Sequence, residues 1–340
     1  ALRPLMSKEQ KRLCGLAMDR KPRLVRGVAG SGKTYVLGNW LARTILSSND
    51  DNETFLVVYA NNSLRDLISN TMYEAWREVA AGKEFPHKNV TLTHIMEILD
   101  MHFMSGRGYT NRTFKYDYDR ASQAIIERIN EGSVSLEGRH FDGVFVDEAQ
   151  DMGPNTLKLL AMMARPAPDN EPLERPMMIF YDNAQNIYDR GTPNWRNLGL
   201  QMRGRSTVMQ ESFRSTKPNC EFALNILNKL SPITDDPDYR ELEGRNLIEK
   251  QTVREADWWS VRFNQIDGPL PVVRLFKNKS SEIDALGKEL TQLFTKEAVQ
   301  PKDVAVISHT TDFLEKMEKQ LRPVLKKIGV TPRFRKGRAT

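Results

Sequence analysis

Eight residues near the N-terminus restrict the fold of this chain more than any other feature of its sequence. They read Gly27-Val28-Ala29-Gly30-Ser31-Gly32-Lys33-Thr34 and match the pattern G-x-x-x-x-G-K-[ST]. The three glycines keep side chains away from backbone N–H groups that can converge on phosphate oxygens. Lys33 can reach β- and γ-phosphates, and the Thr34 hydroxyl can coordinate Mg²⁺. Because the motif follows a short apolar stretch and opens a helical pattern, we interpret it as a phosphate-binding loop between a strand and a helix. The predicted nucleotide ligands in this loop are Gly27, Gly30, Ser31, Gly32, Lys33 and Thr34.

Apolar runs alternate with helical patterns along the chain. The run at Phe55–Ala60 is continuous, as in strands that are buried on both faces, and we predict further strands at Phe141–Val146 and Met177–Tyr181. This alternation predicts an α/β fold in which helices cover both faces of a parallel sheet. Ligands of such sheets bind at the carboxyl ends of the strands, where Asp147 and Asp182 lie together with the loop.

The domain organisation that we predict has three parts. Residues 1–230 form a first ATPase domain with a small helical insertion at about 97–138, where 105–117 is a loop. Residues 231–270 form an irregular linker. Residues 271–340 then begin a second, incomplete domain whose strands we expect at Val272–Phe276, Val304–Ser308 and Val330–Phe334. We expect Pro323 to kink or end its last helix.

Two adjacent carboxylates follow the strand at Phe141–Val146. Asp147 can hold Mg²⁺ directly or through water, and Glu148 can orient or deprotonate an attacking water molecule. The alternative is an acidic cap at a strand–helix turn. The phosphate-binding loop in the same chain favours the catalytic interpretation, with ATP and Mg²⁺ as the implied ligands.

Composition is that of an ordinary soluble protein, with 39% hydrophobic and 28% charged residues among 340. The net charge of +6 is compatible with a polyanionic partner. The apolar runs are too short to cross a membrane, and no secretion signal opens the chain. Cys14 and Cys220 lack metal-ligand spacing and fit a reducing compartment, so we expect a cytoplasmic protein.

The run Asp147-Glu148-Ala149-Gln150-Asp151 resembles motif II of the UvrD/Rep-type superfamily 1 DNA helicases. This resemblance implies a RecA-like P-loop NTPase sheet. Gln10 resembles the Q motif of the same family, which contacts adenine. Gln10 also fits a capping box that begins at Ser7, and both interpretations can hold together.

Two further segments extend the resemblance. Tyr181–Tyr188 is similar to motif III, which implies that Gln185 senses the γ-phosphate, although Tyr181 replaces the common glycine. The run Glu211–Thr216 is similar to motif IV, which implies that Phe213 stacks on adenine and that Arg214 binds the γ-phosphate. The implied catalytic set is Lys33, Glu148, Gln185 and Arg214.

The resemblance also implies contacts with single-stranded DNA or a partial duplex. Tyr59 and Asn61 lie in a segment similar to motif Ia, and Thr93-His94 is similar to an element that contacts the backbone. Tyr59 is alternatively a core strand residue, and His94 is alternatively the start of a helix. The remaining predicted nucleic-acid contacts are Tyr188 and Trp195, the latter as a substitute for an aromatic residue where Arg190 stands.

Motifs V and VI, which complete helicases of this family, do not follow Ser308. We therefore expect a motor segment of a larger protein that lacks a C-terminal helicase half. Such a segment would bind ATP but hydrolyse it weakly. The opening segment and Leu24–Gly27 also resemble bacterial proteins in which a nuclease-related domain precedes a UvrD-like helicase. The predicted function is ATP-dependent translocation on single-stranded DNA. The alternative is a nucleotide-gated switch that regulates a fused or partner nuclease, for example in anti-phage defence.

Overall fold

The computed structural model of the chain describes residues 6–27, 30–48, 50–103, 108–165, 175–182, 193–230, 237–253, 256–262, 266–308 and 310–333. Its contacts divide the chain into two compact units, Ala1–Leu270 and Pro271–Thr340. Separate hydrophobic clusters stabilise the two units.

The first unit is built around six strands: β1 (Arg23–Gly27), β2 (Phe55–Tyr59), β3 (Val90–His94), β4 (Gly143–Val146), β5 (Met177–Tyr181) and β6 (Ser206–Met209). They form one sheet in the order β3-β2-β4-β5-β1-β6, and every neighbouring pair is parallel. All residues of β2, β4 and β5 are buried, whereas the edge strands β3 and β6 are partly exposed. The continuous apolar runs in the sequence therefore correspond to the central strands.

Helices cover both faces of this sheet: α1 (Lys8–Cys14), α2 (Lys33–Ser47), α3 (Arg65–Val79), α4 (Ile95–Ile98, continued by a π-helical turn at Leu99–Phe103), α5 (Tyr109–Phe114), α6 (Tyr118–Asn130) and α7 (Pro154–Met163). Two further helices, α8 (Lys217–Leu230) and α9 (Pro237–Gly244), pack against the residues at 248–261 instead. Because successive strand side chains point to opposite faces, Val57 joins the cluster with α1, α2 and α3, whereas Leu56 joins the cluster with α6 and α7. The predicted α/β, RecA-like parallel sheet is confirmed.

Two segments of the first unit are more regular than we predicted. The expected loop at 105–117 contains α5, because the Asp100 carboxylate accepts hydrogen bonds from the backbone N–H groups of Gly108 and Thr110 at the helix start (2.6 and 2.8 Å). Strand β6 was not predicted. It has only four residues, and its first two are not buried, so it lacks the apolar run of a central strand.

The stretch at 231–270, which we predicted to be irregular, contains α9 and an antiparallel hairpin of β7 (Ile248–Val253) and β8 (Ala256–Val261). Side chains of α8 bind the free edge of β8 as a neighbouring strand would. The Asn225 amide donates to the Trp259 carbonyl and accepts from the Trp259 N–H, both at 2.8 Å. The Glu221 carboxylate accepts from the Val261 N–H at 3.1 Å. The prediction of irregular structure is therefore wrong for these residues.

The second unit contains helices α10 (Lys279–Thr295) and α11 (Thr311–Lys326), which pack against each other. The expected strands at Val272–Phe276 and Val304–Ser308 are not formed, and neither is one in the described part of 330–334. Within the described residues of this unit no partner strand satisfies their backbone, and Leu275 and Ile307 are 94% and 88% exposed. That residues 271–340 begin a second RecA-like domain stays a prediction.

Of the two expected effects of Pro323, an end of α11 does not occur, and the kink stays a prediction. The helix continues to Lys326 because Leu321 and Leu325, on either side of the proline, are both buried against α10. Tertiary packing thus outweighs the lost backbone hydrogen bond.

Among the described helices, none combines the length and the apolar composition that crossing a bilayer requires.

Candidate nucleotide site at the sheet edge

Three neighbouring strands bring the polar residues of the site together. Strands β4, β5 and β1 are adjacent and parallel, so their carboxyl ends lie at one edge of the sheet. Gly27 ends β1, Asp147 follows β4 and Asp182 follows β5. Both aspartates are buried. The predicted position of these three residues at strand ends is confirmed.

The glycine-rich loop requires glycine for two separate reasons. Gly30 and Gly32 have φ angles of 78° and 84°, in the left-handed region that disfavours side chains. A Cβ atom on Gly30 would also lie 2.6 Å from Cβ of Arg214, and one on Gly32 would lie 2.7 Å from Nε2 of Gln10. The loop is therefore closely packed between α1 and the segment around Arg214. Val28 and Ala29 lie outside the described residues.

Lys33 is the first residue of α2 and points across the strand ends. Its Nζ donates to the Gly27 carbonyl at 3.1 Å and forms an ion pair with Oδ2 of Asp182 at 3.0 Å. The side chains of Lys33 and Asp182 are only 5% and 2% exposed. The lysine that we predicted to bind phosphate is thus held at the strand ends by an acidic residue outside the predicted ligand set.

Thr34 and Asp147 form the second contact across the edge. The Thr34 hydroxyl donates to Oδ2 of Asp147 at 2.9 Å. Burial, followed by repulsion from Glu148, raises the pKa of the Asp147 carboxyl to about 7, although Thr34 and Lys33 act in the opposite direction. The raised pKa therefore follows mainly from burial, which disfavours the charged carboxylate, and secondly from the neighbouring Glu148 carboxylate.

Gln150 connects the second carboxylate with β5. Its Nε2 donates to Oε2 of Glu148 at 2.7 Å, and its Oε1 accepts from the backbone N–H of Asp182 at 3.0 Å. Glu148 itself has a φ angle of 47°, which is rare for a residue with a side chain. Gln150 is buried, so it holds the Glu148 carboxylate in a fixed place.

The sequence left two interpretations of Gln10 open, a capping-box residue and an adenine contact, and the structure shows the first. The capping box is present, because the Gln10 N–H donates to Oγ of Ser7 and the Ser7 N–H donates to Oε1 of Gln10. The Nε2 group of Gln10 donates to the Ser31 carbonyl at 3.0 Å. Gln10 therefore fastens α1 to the phosphate-binding loop, and its contact with adenine stays a prediction.

The segment of Phe213 and Arg214 lies directly against the loop. The Phe213 N–H donates to the Gly30 carbonyl at 3.0 Å. The Phe213 side chain is 43% exposed, and the Arg214 side chain is also exposed. Two residues that are far from the loop in sequence thus present an aromatic ring and a guanidinium group beside it.

An open groove of about 670 Å³ runs past this segment. One wall comes from α1 and the residues before Phe213, and the other comes from the base of the hairpin. Its lining residues are Lys8, Glu9, Gln210, Glu211, Ser212, Phe213, Leu247, Arg262 and Ile266. Glu9 closes one end, because its carboxylate accepts from the Gln210 N–H at 2.8 Å.

Three of the predicted nucleic-acid contacts, Tyr59, Thr93 and His94, are buried. Tyr59 is 1% exposed and lies in the core with α2 and α3, with its ring edge-on to His94 at 5.6 Å. His94 Nε2 lies 2.6 Å from the Ala60 carbonyl, while Nδ1 accepts from the Met96 N–H. Burial lowers the pKa of His94. The burial of Tyr59 favours the alternative of a core strand residue, its stacking on a base stays a prediction, and His94 acts as the cap of α4.

The other predicted contacts differ in their accessibility. Asn61 is exposed and caps a short 3₁₀ turn at Asn62–Leu64. Thr93 is buried and donates to Oε2 of Glu97 at 2.8 Å. Trp195 is half-buried, with its ring edge-on to Tyr181 at 6.0 Å. Gln185, Tyr188 and Arg190 lie outside the described residues.

The residues at the edge fit a magnesium ion and a triphosphate. Thr34 and Asp147 offer the oxygen ligands that Mg²⁺ prefers, and a cation beside them would favour the ionised form of the buried Asp147 carboxyl. The loop N–H groups and Lys33 supply the positive side of a phosphate site.

Asp182 and Gln150 are site residues that the predicted ligand set omitted. The position of Asp182 after a buried strand was a usable signal, whereas the pairing of Gln150 with both Glu148 and Asp182 depends on the folded backbone.

Comparison with known proteins identifies a family. A family model described as Schlafen group 3, DNA/RNA helicase domain, matches residues 20–219, more than half of the chain. No curated protein matches. Among solved structures, the Pif1 helicase from Candida albicans is similar at 14% identity and a TM-score of 0.38, over 88% of this chain and 56% of that one. The chain thus spans little more than half the length of that helicase structure.

Proposed function

The chain belongs to the Schlafen group 3 DNA/RNA helicase domain family, and we propose that it is the ATP-hydrolysing segment of a superfamily 1 nucleic-acid motor. In this proposal Mg-ATP is hydrolysed at the carboxyl ends of β1, β4 and β5. The observation that carries the proposal is the convergence there of Lys33, Thr34, Asp147 and Glu148, which three strand–loop junctions hold together.

Each residue has a separate task in the proposed reaction. Lys33 binds the β- and γ-phosphates, and the loop N–H groups bind their oxygens. Glu148 orients the attacking water molecule and accepts its proton, and Gln150 keeps the carboxylate in place. Arg214, exposed beside the loop, stabilises the negative charge that develops on the γ-phosphate. Gln185 completes the proposed catalytic set by sensing the γ-phosphate.

Thr34 and Asp147 would hold the magnesium ion, which when bound neutralises phosphate charge and polarises the bond that breaks.

We further propose that Phe213 stacks on adenine in the groove beside the loop and that Gln10 contacts the same base. Support comes from the exposed ring of Phe213 and from its backbone contact with Gly30. The finer assignment to the UvrD/Rep type rests on the sequence of motifs II and IV and on Gln10.

The proposed nucleic-acid partner is single-stranded DNA or a partial duplex. The proposed contacts that remain accessible are Asn61 and the half-buried Trp195, both after strands of the same sheet. The buried Tyr59 supports no direct contact.

The test is the ATPase rate of the full-length protein with and without single-stranded DNA, using RNA of the same sequence as a second arm. The proposal expects stimulation that Lys33→Ala and Glu148→Gln abolish. If RNA stimulates the ATPase rate and single-stranded DNA does not, the substrate is RNA and the proposed DNA substrate is wrong. Nucleotide binding without stimulation by either polymer would sink the motor and favour the alternative of a nucleotide-gated switch.

A further inference from the structure

The ion pair between Lys33 and Asp182 connects two fixed positions. Lys33 begins α2 directly after the loop, and Asp182 follows β5. Arg26 of β1 is in register with Tyr181 of β5, so the next residues along both strands, Gly27 and Asp182, lie side by side. The Nζ–Oδ2 distance is 3.0 Å, and both side chains are almost completely buried. The pair is therefore part of the strand-end geometry and is screened only weakly by salt.

The hydrogen-bonding capacity of Lys33 is nearly used within the protein. An ammonium group has three N–H donors. One donates to the Gly27 carbonyl and one to Asp182, which leaves a single donor for phosphate. Lys33 can bind phosphate oxygens through more than one donor only if it leaves the Asp182 carboxylate or the Gly27 carbonyl.

The Asp182 carboxylate also adds negative charge where the phosphates of a nucleotide would bind. The Asp147 and Glu148 carboxylates already lie at the ends of these strands, and Asp147 is buried there. A buried carboxylate that faces the same cation as the phosphates competes with them.

We propose that Asp182 competes with nucleotide phosphate for Lys33 and thereby sets the affinity of the site for Mg-ATP and Mg-ADP. This inference rests on the proposed nucleotide site. The ion pair stabilises the protein before nucleotide binds, and nucleotide binding exchanges one anionic partner of Lys33 for another. Asp182 therefore acts through Lys33 as a positioning residue.

The variant Asp182→Asn separates the competition of Asp182 with phosphate from the structural role of the same residue. Asp182→Asn keeps the side-chain shape, an acceptor oxygen and the backbone N–H that donates to Gln150, and it removes only the charge. Lys33 then lacks its counter-charge until phosphate arrives.

The experiment measures the affinity for Mg-ATP and Mg-ADP by calorimetry, and the melting temperature with and without nucleotide. Asp182→Asn is expected to bind both nucleotides about tenfold more tightly than the wild type. It is also expected to melt lower without nucleotide and to gain more from nucleotide. A residue with a merely structural role would lower the melting temperature without tightening binding.

Asp100→Asn is the matched control. Asp100 is as buried as Asp182, and its carboxylate accepts backbone hydrogen bonds from Gly108 and Thr110 in the helical insertion. This variant should lower the melting temperature and leave both nucleotide affinities unchanged within about twofold.

Unchanged or weaker nucleotide binding by Asp182→Asn would overturn the inference while wild-type binding upholds the nucleotide site. Binding by neither protein would overturn both. If Asp182→Asn is obtained only in low yield, Mg-ADP during purification should restore it, because phosphate replaces the missing counter-charge. Failure of Mg-ADP to restore it would also overturn the inference.

Discussion

The candidate nucleotide site at the carboxyl ends of β1, β4 and β5 (the nucleotide edge) and the predicted nucleic-acid contacts belong to the same sheet. Their side chains differ in what they contact and in how far they are exposed. At the nucleotide edge, Lys33, Thr34 and Asp147 reach partners across neighbouring strand ends. Among the predicted nucleic-acid contacts, Tyr59 and His94, the last residues of β2 and β3, are buried in the core. The difference teaches that a contiguous loop largely determines its own geometry, whereas exposure depends on which helices pack over a strand.

Removal of the loop lysine should give the largest effect. Lys33→Ala is expected to lower ATP turnover by the full-length protein about 1000-fold, because it removes the charge that stabilises the phosphates. The measurement is phosphate release at saturating Mg-ATP. Lys88→Ala, at an exposed lysine of the same unit, should retain the wild-type rate. Equal rates of phosphate release by Lys33→Ala and Lys88→Ala would show that Lys33 does not take part in ATP turnover, and would contradict the nucleotide site proposed here.

Glu148→Gln should separate binding from chemistry. We expect turnover to fall about 100-fold, since glutamine cannot accept a proton from water. The affinity for Mg-ATP, measured by calorimetry, should stay within about threefold of the wild type. Glu74→Gln, at an exposed position of α3, is the control. A normal rate in Glu148→Gln would assign the proton acceptor to another group.

The pKa of Asp147 predicts a pH effect of intermediate size. A carboxyl with a pKa of about 7 is mostly ionised at pH 8 and mostly protonated at pH 6. Because only the ionised form binds Mg²⁺ well, Mg-nucleotide affinity should fall about tenfold from pH 8 to pH 6. The same affinities are measured for Asp147→Asn, in which the pH dependence comes only from other groups, such as the nucleotide itself. The same pH dependence in both proteins would contradict this role of Asp147.

The smallest effect concerns the buried tyrosine. Tyr59→Leu removes the aromatic ring but keeps an apolar core residue, so the affinity for single-stranded DNA should stay within about twofold of the wild type. Base stacking would instead contribute about 1–3 kcal/mol, which corresponds to a loss of roughly fivefold to 150-fold. Fluorescence anisotropy with a labelled oligonucleotide distinguishes the two results, and circular dichroism verifies folding.

Much of the first unit could be predicted because its signals are local. Strand β5 has the bounds that we predicted, Met177–Tyr181, because its apolar run determines them. The position of Asp147 and Asp182 at one edge followed from the parallel sheet. The ion pair of Asp182 with Lys33 could not be predicted, because it depends on the register of β1 with β5.

Elsewhere the controlling interactions are distant in sequence. Strand β8 is formed because Glu221 and Asn225 of α8 bind its edge, and no pattern in 231–270 indicates that partner. The opposite error concerns Val272–Phe276, which has the composition of a strand and no strand partner among the described residues of its unit. Composition indicates where a strand can form, and a neighbouring backbone decides whether it does.

Calorimetric titration of the wild type and of Lys33→Ala with a non-hydrolysable ATP analogue, with and without Mg²⁺, tests the nucleotide site most directly. The wild type should bind one nucleotide per chain, bind it more weakly without Mg²⁺, and lose it in Lys33→Ala. Absence of wild-type binding, or equal binding by Lys33→Ala, would contradict the assignment of the β1, β4 and β5 ends as the nucleotide site.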